Sequence, residues 1–267
     1  MTFFIILILA GCLTGLIAGL LGIGGGIILV PVLAYVFSLM SATESAYIQF
    51  AAGTSLAVMI FTSISAVSHK LKHHEVNITF FKKLAPWIIA FNIIGAICAH
   101  FLHPHIITLL FALLLAFMFF KMMRQKAHID PKIKPSHPVK NALWGSLIGI
   151  KSGLFGIGGG MISIPYLHGL GLPMKIASGT SSAFTFIIAI TGTTSFIISG
   201  HLSHLDIAWT WGYVYLPAVI AVAPTSMIFA KIGAKLATKT SAKFIKWLFL
   251  CVLFVATAKM IWLVVGT

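Results

Sequence analysis

The chain has 267 residues, of which 59 % are hydrophobic and 8 % charged, and its mean hydropathy is +1.06. Soluble domains carry roughly 25 % charged residues, so a soluble enzyme is excluded, and this hydrophobicity equally excludes disorder. The net charge of +14 comes from 18 Lys plus Arg against four acids, Glu44, Glu75, Asp130 and Asp206.

In chain order, apolar runs fall at 2–22, 26–40, 46–68, 84–101 and 104–123, then at 139–157, 160–170, 175–199, 208–230 and 244–265. Most approach the ~20 residues that a spanning helix needs. The runs 26–40 and 160–170 are short and read as half-helices. The expected fold is therefore an all-α polytopic membrane protein with about eight full-length and two short or broken transmembrane segments. The first run has no basic leader and no A-x-A cleavage site, so it reads as a retained helix rather than a signal peptide.

The basic residues sit at the ends of these runs, which speaks for topology and against nucleic-acid binding. Lys70, Lys72, Lys82 and Lys83 mark one cytoplasmic loop. The central stretch, with Lys121, Arg124, Lys126, Lys132, Lys134 and Lys140, is a second, and Lys231, Lys235, Lys239 and Lys243 mark a third. The connections near 41–45, 102–105 and 200–207 hold no Lys or Arg and read as external. Ten crossings then place both termini outside. Residues 125–140 contain Pro131, Pro135 and Pro138 and form a cytoplasmic linker between a first repeat, 1–124, and a second, 141–267.

The two halves match. Gly11, Gly15, Gly19, Gly22, Gly24, Gly25, Gly26 and Pro31 recur 134 residues later, from Gly145 to Pro165, with thirteen identities over the twenty-three positions 11–33. Ala52-Gly53-Thr54-Ser55 recurs as Ser178-Gly179-Thr180-Ser181. Matched loops carry opposite charge: 69–83 is basic and 200–207 is not, while 102–105 is bare and 231–243 is basic. Copies with opposite loop bias are expected to lie inverted in the membrane, as in many secondary transporters. A parallel tandem repeat is the alternative.

The four-residue glycine spacing in 11/15/19 and 145/149/153 bares one helix face for close packing. The strings Gly24-Gly25-Gly26 and Gly158-Gly159-Gly160 are different. Each glycine costs a helix roughly 1 kcal/mol, so these strings are expected to break their helices at membrane depth, where irregular backbone must be buried or line a cavity. The short helix after each break starts with free N–H groups and a positive dipole end, which suits an anion; a tight turn is the plainer reading. Lys151 replaces Ile17 of the first copy inside an apolar run and has no acid near it in sequence. It is the lysine that topology leaves over, and it fits a substrate or counter-charge role. Thr54, Ser55, Thr180, Ser181 and Ser182 are candidate hydroxyl donors, or else bond their own helix carbonyls. Cys12, Cys98 and Cys251 lie in apolar runs and read as packing residues. His100, His103 and His105 cluster without Cys or carboxylate partners, so no metal site is expected. No cofactor motif and no catalytic constellation appears.

The strings GLLGIGGGIILVP (19–31) and GLFGIGGGMISIP (153–165), with AGTS at 52–55 and SGTS at 178–181, resemble the duplicated signature of the TauE/SafE family. The resemblance spans essentially the whole chain. It implies a transporter of the bacterial inner membrane that handles sulfite, a related sulfur oxyanion or an organosulfonate. Partners are then a small anion and membrane lipid, with the coupling ion open and a homo-oligomer allowed. Readings from other classes are a passive anion channel and a non-transporting assembly or sensory subunit.

Overall fold

The computed structural model describes residues 2–21, 24–40, 43–124, 137–203, 207–237, 240 and 242–265. Among them the chain forms ten α-helices and one two-stranded hairpin. The first half holds α1 (Thr2–Leu21), α2 (Gly26–Ser38), α3 (Tyr47–Lys72), α4 (Ile78–Phe101) and α5 (Pro104–Arg124). The second holds α6 (Pro138–Phe155), α7 (Gly160–Gly169), α8 (Met174–Leu202), β1 (Thr210–Trp211), β2 (Val214–Tyr215), α9 (Leu216–Ala237) and α10 (Ala242–Val265). Of the expected linker, 125–136 lies outside the described residues, and Pro138–Lys140 open α6, where a proline at the first helical position lacks no needed N–H.

Among the described residues, six helices are long and apolar enough to cross a membrane: α3, α4, α5, α8, α9 and α10. The expectation of eight full-length segments is thus met by six. The apolar stretch of α1 is shorter, Phe4–Leu20, and α6 has 18 residues that include Lys140 and Lys151. The two short segments have 13 and 10 residues.

Two boundaries differ from the sequence reading for physical reasons. α4 begins six residues early, at Ile78, because the Asn77 side chain caps it by accepting from Phe80 N at 3.1 Å. Lys82 and Lys83, where the apolar run seemed to stop, lie on its exposed face. α9 begins at Leu216 rather than near 208, because 210–215 form the hairpin. Gly212, with φ +54, takes the first central turn position.

Polarity runs from the inside out. Leu9, Leu13, Leu113, Phe117, Ile220 and Phe254 are exposed, whereas Thr54, Ser55, Thr180, Ser181, Asn92 and Thr108 are fully buried. An apolar exterior, around a core in which hydroxyl and amide groups sit among large apolar side chains such as Phe37, Phe50 and Phe184, suits lipid, where helices gain from close packing and internal hydrogen bonds.

The first helix of each half packs on the fourth helix of the other. Gly11 faces Val222 and Thr225, Gly15 faces Ser226, and Gly19 faces Ala230 and Ala234. These numbers rise together, so α1 and α9 run parallel. Gly145 faces Leu84 and Trp87, Gly149 faces Ile88 and Asn92, and Gly153 faces Asn92 and Ala96, so α6 and α4 run parallel too. Packing is the role of both stripes: a methyl on Gly149 would lie 2.6 Å from Ile88 O.

The third helices pair with each other in the opposite sense. Gly53 near the start of α3 meets Phe196 near the end of α8, and Leu56 meets Gly192. At the other end, Asn77 N, just past α3, donates to Thr180 Oγ1 near the start of α8. α3 and α8 are matched elements of the repeat, and they run antiparallel.

Candidate functional site

Each glycine string is built as a reversal. α6 ends at Gly156, whose φ of +67 gives the left-handed helix stop, with Gly156 N donating to Ser152 O at 2.9 Å. α7 restarts at Gly160, after Gly159. In the first half Gly24 has φ +84, α2 restarts at Gly26, and Gly25 sits against Thr14 and Ala18 of α1. Both strings are therefore real helix breaks.

The two breaks meet. A methyl on Gly24 would lie 4.0 Å from Gly158 Cα, and one on Gly26 would lie 2.9 Å from Ile157 Cα and 3.1 Å from Gly156 O. Met59 and Thr185 flank Gly24. Those two residues occupy matched positions of the repeat, 126 apart, on α3 and α8.

Both short helices open in the same way. Ile28 N and Leu29 N donate to Gly25 O, and Ile162 N and Ser163 N donate to Gly159 O. Among the described residues, the N–H groups of Gly160 and Met161 have no acceptor, while residues 22 and 23, which stand four before Gly26 and Ile27, lie outside the described residues. Two helix starts, with their positive dipole ends, therefore sit at one crossing, and the second offers two free donors.

Lys151 reaches this crossing from α6. It is 5 % exposed, and its Nζ donates to Gly158 O at 2.9 Å. Among the described residues no carboxylate contacts it. A lysine buried this deep is costly without a counter-charge. A second lysine inside a helix, Lys259 on α10, does not follow from the charge pattern. It is satisfied differently, with Nζ 3.3 Å from the Tyr35 ring centroid and 4.3 Å from that of Trp262.

Hydroxyls are unequal between the halves. Ser163 Oγ lies 3.0 Å from Gly159 O and 2.7 Å from Ser181 Oγ, tying Ser181 to the start of α7. The first half has Leu29 in place of Ser163, and Ser55 Oγ, the mate of Ser181, is buried with no partner among the described residues. Ser182 Oγ donates to Ser178 O at 3.0 Å within its own helix. Thr54 and Thr180 lie toward opposite ends of the bundle and accept from loop backbone, Thr180 Oγ1 also donating to Ile176 O of its own helix at 2.7 Å. The structure thus brings together Gly24, Gly26, Gly158, Gly159, Gly160, Lys151 and Ser181. Gly25 faces α1, Ser55 lies one turn of α3 from the crossing residue Met59, and Thr54, Thr180 and Ser182 are held elsewhere. Ser163 and Thr185 escape the sequence reading, although Ser163 carries the same signal as Lys151, a polar residue where the other copy is aliphatic.

His100 does not group with His103 and His105. Its Nδ1 lies 3.2 Å from Tyr213 Oη and 3.3 Å from Ser203 Oγ, while His103 and His105 stack on each other at 5.1 Å. Among the described residues no three His, Cys, Asp or Glu could share a metal.

Outside the spans, Glu75 bridges Lys70 at 2.7 Å and Lys175 at 3.4 Å. The Lys70 hydrogen bond holds its carboxyl below the usual carboxylate range. A lowered folded-state pKa stabilises the fold above the unfolded value of about 4.5, and that share is lost as pH falls through the folded value. The melting-temperature gap between the parent and Glu75→Gln is therefore expected to be constant from pH 7 to 5 and to close below about pH 4.5. A gap that closes above pH 6 would contradict this assignment.

Comparison with known proteins agrees with this architecture. Residues 7–260 match the family described as Sulfite exporter TauE/SafE. The chain belongs to the TauE/SafE family. A Haemophilus influenzae protein named "Probable membrane transporter protein" is 34 % identical over 262 residues, covering 97 % of this chain and 98 % of its own length. The Bacillus subtilis "Probable membrane transporter protein YunE" is 28 % identical, with 97 % of each chain covered. A Methanocaldococcus jannaschii relative, also named a probable membrane transporter, is 28 % identical over 90 % of this chain and 89 % of its own. No solved structure matches the chain. This TauE/SafE member is thus a multi-pass helical membrane protein from a transporter family.

Proposed function

We propose that the protein is a secondary transporter, not an enzyme, that moves a small anion across the bacterial inner membrane by alternating access. The favoured cargo is sulfite, a related sulfur oxyanion or an organosulfonate. One observation carries the reading: Lys151 is buried beside two converging helix starts, and no carboxylate among the described residues balances it. An anion at the crossing would complete Lys151 and accept from the N–H groups of Gly160 and Met161 at the start of α7, with the start of α2 adding its dipole. Ser181 and Ser163 lie on the α7 side, so the second string is the principal binding half. Gly26 of the first string, where a methyl would lie 2.9 Å from Ile157 Cα, lets the two backbones approach.

The halves are read as inverted repeats, 1–124 and 141–267. The antiparallel pairing of the matched helices α3 and α8 supports this, because a two-fold axis relating them must lie across the helix direction. Charge supports it as well. Following the helix directions, the end of α3, the start of α4, the end of α5, the starts of α6 and α8 and the end of α9 share one face. That face carries Lys70, Lys72, Lys82, Lys83, Lys121, Arg124, Lys140, Lys175, Lys231 and Lys235. It is assigned to the cytoplasm, with both termini on the other side. The linker then joins cytoplasmic ends of two bodies that rock about the crossing.

A thermal-shift panel tests the anion class. Sulfite, thiosulfate, sulfoacetate, taurine and carboxylates are added to purified protein at graded concentration. A bound anion is expected to add about 2.7 kcal/mol of stability at a hundred times its Kd. If no anion raises the melting temperature while a cation does, the proposal fails.

A further inference from the structure

Each Gly-Thr-Ser cluster is held by a loop of the opposite half. Tyr215 N, at the foot of the hairpin, donates to Thr54 Oγ1 at 3.1 Å. A methyl on Gly53 would lie 2.6 Å from Tyr213 O, so the hairpin backbone rests on α3. At the other end of the bundle, Asn77 N donates to Thr180 Oγ1 at 2.9 Å, and Gly179 packs on the backbone of Glu75. Thr54 and Thr180 are matched residues of the repeat, 126 positions apart, and both are fully buried. The same contact is made twice, once at each end of the α3–α8 pair.

The loops have further anchors. Tyr213 Oη lies 2.7 Å from Ser203 Oγ and 3.2 Å from His100 Nδ1. In the 73–77 loop, Glu75 joins Lys70 to Lys175, which links the end of α3 to the start of α8. Between these two closures lies the glycine crossing, with Met59 and Thr185 near the middle of the same two helices.

We propose that the hairpin 210–215 and the loop 73–77 are the two gates of the transport path, latched by Thr54 and Thr180. The inference rests on the transport reading above. With both latches made, the crossing is sealed from both ends. Alternating access then requires one latch to release while the other holds. Each latch is one N–H donated to one side-chain oxygen, backed by a side-chain contact (Tyr213 to His100 at the hairpin, Glu75 to Lys175 at the loop) and not by a ladder of backbone bonds, so it releases without melting either helix. Its two-fold repetition gives each face its own release.

The test uses protein with Cys12, Cys98 and Cys251 replaced by alanine, reconstituted in vesicles without substrate. Buried reporters are Ser199→Cys, next to Gly200, which packs on the hairpin backbone, and Ala177→Cys, two residues before Gly179, which packs on the backbone of Glu75. An impermeant maleimide reads their exposure. Thr54→Val is expected to raise Ser199→Cys labelling roughly fivefold and leave Ala177→Cys unchanged, the population shift that follows from losing one ordinary hydrogen bond. Thr180→Val is expected to do the converse. Thr54→Ser and Thr180→Ser keep the acceptor oxygen and are expected to label as the parent does. Equal exposure of both reporters in either valine variant, or no change in either, overturns the gates. Anion uptake by the same vesicles separates the two levels. Side-specific labelling without uptake overturns the transport reading alone, and uptake with side-indifferent labelling overturns the gates alone.

Discussion

Lys151→Met is expected to raise the melting temperature of the ligand-free protein and to abolish its stabilisation by anions. The two effects have opposite signs because the ammonium is buried with one carbonyl partner, Gly158 O at 2.9 Å. Replacing an uncompensated buried charge with an apolar chain of similar length removes a desolvation cost. Removing the same charge from a bound complex strands the anion, and truncating one member of a buried charge pair typically costs about 2–5 kcal/mol, roughly 30-fold or more in affinity. A purely structural lysine would give the reverse: lower stability without ligand, and unchanged anion binding. Thermal shifts of the two proteins, with and without the best ligand, decide between these outcomes.

Gly156→Ala is expected to be the most damaging single change at the crossing. The residue stops α6 with φ +67, a conformation that costs a side-chain-bearing residue about 1–2 kcal/mol. The added methyl would also lie 2.5 Å from Ala52 O and 2.6 Å from Ala52 Cβ on α3. Overpacking of this kind typically costs about 1–3 kcal/mol, so a combined loss of roughly 3 kcal/mol or more is expected. The contrasting variant is Gly169→Ala at the end of α7, where a methyl meets nothing within 4 Å. It is expected to melt within a degree or two of the parent, since it closes no space and forces no backbone change. Melting curves in one detergent compare the two, and equal stability of both variants would contradict the close crossing.

The repeat was legible in the sequence because glycine and proline leave sharp marks. Their fixed offset of 134 residues located both helix breaks and both short helices. The meeting of the two strings followed from the repeat once inversion was expected. What stayed hidden depended on contacts between distant residues. Thr54 bonds a residue 161 positions away and Thr180 one 103 positions away, so their attachment to loops cannot be read from local pattern. The hairpin was hidden because Ile207, Ala208, Trp209 and Trp211 prolong the apolar run into α9. Lys259 was hidden because aromatic faces, not acids, satisfy it, and Tyr35 lies in the other half of the chain. Ser163 was within reach: comparing the copies position by position marks it, opposite Leu29, as plainly as it marks Lys151 opposite Ile17.

Counterflow in proteoliposomes bears most directly on the claim that an anion is carried through the glycine crossing. Vesicles are loaded with the unlabelled anion that gives the largest thermal shift, and the entry of its radiolabelled form is followed. Saturable uptake accelerated by internal anion is expected for the parent, and none for Lys151→Met. Uptake that rises linearly with concentration and ignores the internal anion, or uptake by Lys151→Met equal to the parent's, would contradict it.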